Sequence, residues 1–214
     1  MTNRSFARRI CRGLSATGKG LLENALPEFS IELDNPYKLI PPHSARFLEI
    51  GFGMGDNIVN MAIASPGKYF IGAEPYKNGI VRVLRNIKEH ELKNLLIWPD
   101  DVSLLLPALP DNSLNGIYVL FPDPWPKRRH QKRRLVNEDF ILMLSQKLAR
   151  ECKLYFASDV KDYAEEVLRL LLCCKNLQAS GSGALDSEYF STKYHSKALE
   201  KNSATVTFLQ FQKL

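Results

Sequence analysis

Short apolar runs separated by helix-periodic stretches recur along the chain from Arg46 to Gln212. RFLEIG (46–51), KYFIGAE (68–74), NLLIW (94–98), GIYVLF (116–121) and KLYFAS (153–158) have the length and composition of buried strands. TVTFLQFQ (205–212) alternates apolar and polar positions, as a last, half-buried strand would. Between them, helical spacing predicts helices from Asp56 towards Ala64, through VRVLRNIKEH (81–90), over 137–150 behind an Asn137 N-cap, and through DYAEEVLRLLLCC (162–174). Alternation of this kind specifies an α/β fold, an open, mostly parallel sheet with helices on both faces. The last strand follows a loop instead of a helix and is expected antiparallel to its neighbours.

The amino-terminal segment has a different character. Residues 1–30 read as a flexible basic arm, and Pro36, Pro41 and Pro42 mark its junction with a single domain spanning 31–214. With 45% hydrophobic and 24% charged residues the chain is ordinary for a globular protein. Its most apolar helix carries Arg169 and falls short of the roughly 18 residues a membrane span needs. The Arg-rich start lacks the apolar core of a secretory signal, although it has the look of a mitochondrial transit peptide. Cys11, Cys152, Cys173 and Cys174 form no C-x-x-C pair, and His43, His90, His130 and His195 are scattered. Free thiols, a reducing compartment and no metal site are the expectation.

Charge placement changes the picture. Arg4, Arg8, Arg9, Arg12 and Lys19 precede the first acid, and Lys127, Arg128, Arg129, Lys132, Arg133 and Arg134 crowd into eight positions. The net charge is only +6, so the rest of the chain is acidic. Cations gathered in this way suit a polyanion, although RRHQKRR is also compatible with a solvated helix face or a nuclear localisation patch.

Candidate chemistry gathers at the carboxyl ends of the predicted strands, where ligands bind in open parallel sheets. The first strand ends in LEIGFGMGD, where Gly51, Gly53 and Gly55 allow a sharp turn and close approach of a ligand. Their G-x-G-x-G spacing differs from the G-x-G-x-x-G of dinucleotide binders, and Glu49 would repel a phosphate. A cationic ligand is preferred, and the sulfonium and ammonium of S-adenosyl-L-methionine fit. Glu74, about twenty residues beyond the glycines, suits ribose hydroxyls. Asp100 and Asp101 follow the third strand, where an adenine amino group would need an acceptor. A Gly-rich turn and innocent surface acids are the plainer reading of these same residues. The fourth strand delivers FPDPWPK, in which Pro122, Pro124 and Pro126 fix φ at alternate positions and restrict Asp123 and Trp125.

LEIGFGMGD, GAEPY, FPDPWPKRRHQKRRL, FASD and STKY, in this order and spacing, resemble the bacterial tRNA (guanine-N7-)-methyltransferases. RSFARRICRG is similar to that family's basic arm. The resemblance implies a Rossmann-like class I methyltransferase fold and S-adenosyl-L-methionine as methyl donor. As acceptor it implies guanine46 in the variable loop of tRNA. By matching position it assigns Glu49, Glu74, Asp101 and Asp123 to the donor site, with Asp123 also catalytic. Lys127, Asp159, Thr192, Lys193 and Tyr194 would meet substrate, and Arg129, His130, Gln131, Lys132, Arg133 and Arg134 would face RNA. His195 stands where the family usually has Glu, leaving its substrate-side role open. The family also implies a cytoplasmic protein, monomeric or homodimeric. The rivals are a methyltransferase for another RNA or a small molecule, and a non-catalytic RNA-binding protein. A nicotinamide oxidoreductase is disfavoured by the glycine spacing.

Overall fold

The computed structural model describes residues 13–181 and 206–214. The chain forms two compact units that divide between Leu109 and Pro110. In the first unit, α1 (Ala16–Asn24) and α2 (Leu26–Phe29) precede β1 (Arg46–Ile50), α3 (Asp56–Ala64), β2 (Tyr69–Ala73), α4 (Lys77–Glu89), β3 (Leu95–Trp98) and the short α5 (Val102–Leu105). β2 lies between β1 and β3 and is parallel to both, with Leu48 opposite Ile71 and Ile71 opposite Leu96. These apolar runs are strands because both faces are covered: Leu48, Ile71, Leu95 and Ile97 are completely buried.

The expected flexible arm is partly folded. Ser15 caps α1, its hydroxyl accepting from the Gly18 N–H at 3.1 Å, and Gly18 packs against Val81 of α4. Ile31 then donates to the Ile97 carbonyl at 3.0 Å, stitching the segment after α2 to β3. The basic residues up to Arg12 lie outside the described residues.

The second unit holds β4 (Leu114–Leu120), a 3-10 turn over Arg128–Arg133, α6 (Glu138–Lys147), β5 (Leu148–Ser158), α7 (Lys161–Cys173), β6 (Leu177–Gly181) and β7 (Thr207–Lys213). β4 and β5 are parallel, and β7 runs antiparallel to β5 on one side and β6 on the other. Antiparallel placement of the last strand agrees with the sequence. β6 has no counterpart among the predicted elements, since LQASG is short and carries a single large apolar residue, Leu177; it is held by backbone pairing to β7, where Leu177 meets Lys213. The helix expected through Arg150 also stops early, at Lys147. The Gln146 and Lys147 carbonyls accept from Asn112 and Ser113 N–H groups at 2.9 and 3.0 Å. The Lys147 ammonium donates to Asp111 at 2.7 Å. These contacts turn a helix-periodic stretch into the start of a long strand.

No helix among the described residues is long and apolar enough to cross a membrane.

One buried side chain fixes the layering of the first unit. Asn94, 4% exposed, directs its amide nitrogen at the carbonyls of Ala62, Ser65 and Lys68 at 3.0, 3.1 and 2.9 Å. It thereby ties the end of α3 to the entry of β3. Replacing Asn94 with Ala leaves those carbonyls short of a donor and should lower stability by about 1–3 kcal/mol. Denaturant melts of the wild type and variant check this, and an unchanged midpoint would discard the tie.

Candidate functional site

The turn after β1 is built on left-handed backbone. Gly51, Gly53 and Gly55 have φ of 73°, 55° and 82°, which side chains other than glycine rarely adopt. A Cβ built on Gly51 or Gly53 would meet no described heavy atom within 4 Å, so that side of the turn is open. The other side is tight. A Cβ on Gly79, in the first turn of α4, would sit 1.8 Å from the Gly53 carbonyl oxygen. Gly79 was not singled out from the sequence, where a glycine in a helical pattern has no distinguishing mark.

Glu74, expected to face a ribose, braces this turn. One carboxylate oxygen accepts from the Gly53 N–H at 2.7 Å and the other from the Tyr76 N–H at 2.9 Å. Asp101 is 2% exposed and caps α5, accepting from the Ser103 N–H at 2.9 Å, while its carbonyl accepts from the Trp98 indole N–H at 2.8 Å. Both acids thus shape backbone.

Glu49 is buried, 4% exposed, and accepts from the Asn57 amide at 3.0 Å. The Asn57 carbonyl oxygen is buried without a hydrogen-bond donor among the described residues. Burial pushes the Glu49 carboxyl up to about 8; the Asn57 hydrogen bond opposes the rise, and the charges of Glu74 and Asp56 add to it. Asp56 itself pairs with Arg82. An open glycine turn, a carboxyl surrounded by other acids and an orphaned amide oxygen fit a ligand that brings positive charge and N–H donors.

In the second unit the turn after β4 is strained. Phe121 and Trp125 have φ of 51° and 40°, and each precedes a proline. A bulky residue seldom takes positive φ, and the residue before proline normally prefers extended backbone. Surrounding contacts hold the turn. The Phe121 N–H donates to the Ala157 carbonyl at 2.8 Å. The Arg133 guanidinium lies over the Trp125 ring, 5.0 Å from its centroid, and His130 meets that ring edge-on at 5.9 Å. Partial burial, then Arg133 and Lys127, hold the His130 imidazole below its ordinary pKa. Asp123, Lys127, Arg128, Arg129 and Lys132 are exposed, whereas His130, Gln131 and Arg133 are half-buried.

Arg134 departs from expectation. It is 6% exposed, and its guanidinium donates to the Pro124 carbonyl at 3.0 Å, to Asp162 at 2.7 Å and to Glu166. The same group lies 4.7 Å from the Tyr163 ring centroid. A cation enclosed in this way has no face for a phosphate, so the RNA-facing assignment of Arg134 is corrected. Its partners on α7 were missed, although Asp162 and Glu166 at i, i+4 were a readable signal of a shared helix face. Asp159 is exposed just after β5. Thr192, Lys193, Tyr194 and His195 lie outside the described residues.

Solved methyltransferases share this architecture. The structure of an antibiotic-related methyltransferase superposes with a TM-score of 0.55 at 17% identity, covering 96% of this chain and 98% of that one. The fold is therefore that of the class I methyltransferases. A family model described as a putative methyltransferase matches residues 43–208. The tRNA (guanine-N(7)-)-methyltransferase of Hyphomonas neptunium is 39% identical over 205 residues, 92% of this chain and 94% of that protein. That of Wolbachia pipientis is 36% identical over 191 residues, 88% and 85% of the two chains. The chain belongs to the tRNA (guanine-N(7)-)-methyltransferase family. It is also 40% identical over 203 residues to the bifunctional methyltransferase of Rickettsia conorii, covering 94% of this chain but only 38% of that protein's length.

Glu49 offers a test that needs no ligand. Its folded-state value lies above the ordinary 4.5. Its contribution to stability is therefore fully present below pH 4.5 and is lost as pH rises towards 8. Glu49→Gln removes the titration while keeping the shape. The variant's thermal midpoint should gain on the wild type between pH 5 and pH 8.5; parallel midpoints across that range would show that Glu49 ionises freely.

Proposed function

We propose that the chain transfers a methyl group from S-adenosyl-L-methionine to N7 of a guanine in tRNA, guanine46 of the variable loop. One observation carries the reading. Within residues 121–134 an exposed carboxylate on a strained proline turn, Asp123, is followed directly by the exposed cations Lys127, Arg128, Arg129 and Lys132. The activity named for the Hyphomonas and Wolbachia relatives supports it.

When bound, the donor supplies an electrophilic methyl on a positively charged sulfur. The Gly51–Gly55 turn gives its backbone close access, and Glu49 supplies a carboxylate once a cation is against it. Glu74 keeps the turn in shape through the Gly53 N–H. Guanine N7 already carries a lone pair, so no base has to remove a proton before attack. What remains for the protein is positioning and electrostatics. The Asp123 carboxylate accepts hydrogen bonds from the guanine edge and favours the cationic purine that forms. The Arg133 guanidinium already takes one face of Trp125, so a base stacks on the indole only at the other. The exposed cations hold phosphates. A tRNA substrate suits a cytoplasmic protein, whether a monomer or a homodimer.

Nucleoside analysis of bulk tRNA, after incubation with labelled donor, tests the reading directly. Label in 7-methylguanosine at position 46 is the expected result; label in another nucleoside, or donor binding without transfer, would replace it with one of the rival activities.

Asp123→Asn removes the charge and presents amide donors to donors on the guanine edge. Its single-turnover rate should fall by about 10²–10³, the scale of one preorganised electrostatic group. Affinity for tRNA should hold, because phosphate contacts dominate it. A variant that methylates at the wild-type rate would leave Asp123 as a turn residue.

Neutralising Lys127, Arg128, Arg129 and Lys132 together should flatten the salt dependence of tRNA binding. Each phosphate the protein no longer neutralises lowers the slope of log K against log salt by roughly 0.7–0.9, so the ceiling for four contacts is roughly 2.8–3.6 units. An unaltered slope would make the run a solvated surface.

A further inference from the structure

A buried arginine in an RNA-facing run needs its own explanation. Only 3% of the Arg134 side chain is exposed, and all three nitrogens of its guanidinium fork donate. Nε donates to the Pro124 carbonyl at 3.0 Å, one terminal nitrogen to Asp162 at 2.7 Å and the other to Glu166. Lysine has no such fork and could not hold three acceptors in fixed directions. The two carboxylates project from α7, so the fork joins the helix after β5 to the turn after β4.

The attachment point is informative. Pro124 immediately follows Asp123, and the positive φ angles at Phe121 and Trp125 lie two residues to either side of that carboxylate. Strain of this kind persists only where contacts over-determine the backbone. Against the Arg134 guanidinium lies Tyr163, fully buried, its hydroxyl oxygen accepting from the Val136 N–H at 3.2 Å. Burial pushes that phenol up to about 12. The Val136 N–H and Arg134 oppose the rise, while Glu166 and Asp123 add to it, so the Asp123 charge reaches the same buried ring.

We propose that Arg134 is a positioning residue for methyl transfer: by gripping the Pro124 carbonyl against α7 it aims the Asp123 carboxylate, and it makes no contact with RNA. The inference rests on the catalytic reading of Asp123 given above. A misplaced reacting group of about 1 Å can cost on the order of 10²-fold in rate, which sets the scale.

Three variants separate aim from mere stability. Arg134→Lys keeps the charge but loses the fork. Asp162→Asn with Glu166→Gln leaves Arg134 in place and loosens its anchor. The triple variant, Arg134→Met with Asp162→Asn and Glu166→Gln, removes the whole ion cluster, and an apolar replacement of this type often restores stability. Single-turnover rates with saturating donor and tRNA should fall about 10- to 100-fold in Arg134→Lys and in the triple variant, and to a smaller extent in the double variant. Donor and tRNA affinities, and the salt slope of tRNA binding, should stay as in the wild type. Hydrogen exchange in the peptide covering 121–126 should quicken in all three. The triple variant should recover its thermal midpoint without recovering its rate.

Recovery of rate together with midpoint would show a purely structural role and overturn the proposal. A salt slope in the triple variant lower by roughly 0.7–0.9 would return Arg134 to the phosphate contacts and overturn it equally. Wild-type exchange rates over 121–126 in every variant would do so as well. That last readout is independent of activity. A wild type that fails to methylate tRNA overturns the functional reading instead, while the exchange data still decide whether Arg134 holds the turn.

Discussion

Where a parallel strand ends, the backbone leaves the ladder and its polar atoms need other partners. Here a buried charge meets that need in each unit. The Glu74 carboxylate collects the N–H groups of Gly53 and Tyr76, and the Arg134 guanidinium supplies the Pro124 carbonyl. An anion gathers donors and a cation satisfies an acceptor. Charge-assisted hydrogen bonds are roughly twice as strong as neutral ones, so each site turn is tied by stronger bonds than a neutral turn would be. Within each unit the geometry of the candidate site turn depends on one of these two groups.

The two units use electrostatics in opposite ways. Around the glycine turn burial, with the charges of Glu74 and Asp56 adding to it, pushes the Glu49 carboxyl up to about 8. Around the proline turn the cations dominate, but they divide by burial. Lys127, Arg128, Arg129 and Lys132 are exposed; Arg133 is spent on the Trp125 ring and Arg134 on α7. Six like charges that look equivalent in sequence therefore do three kinds of work. Membership in the tRNA (guanine-N(7)-)-methyltransferase family is consistent with both arrangements.

Strain marks the same place. Left-handed backbone at Phe121 and Trp125 is unfavourable for side chains of that size, and prolines after each make it stiffer. The cost is met by the Ala157 carbonyl, the Arg133–Trp125 stack and the Arg134 fork. A turn locked on three sides presents an exposed carboxylate with little freedom.

The sequence by itself determined β1 to β4 and the 153–158 part of β5, because runs such as FLEI and YFIGA are apolar enough to be buried on both faces and offer no helical period. It also determined the Asn137 cap, whose side chain accepts from the Phe140 N–H at 3.0 Å, and the glycine turn after β1, because these are local rules of backbone and side chain. Its reading of Asp123 as a residue aimed by prolines rested on the same local logic. Tertiary structure decided the rest. LQASG became a strand only because β7 offered a backbone to pair with, and the helix at 137–150 ended at Lys147 because Asn112 and Ser113 claimed its carbonyls. Arg134 is one more positive charge in a row until α7 brings Asp162 and Glu166 to it from 28 and 32 residues away. Charge is written in the sequence; whether that charge meets solvent, a ring or a carboxylate depends on which segments the fold packs together.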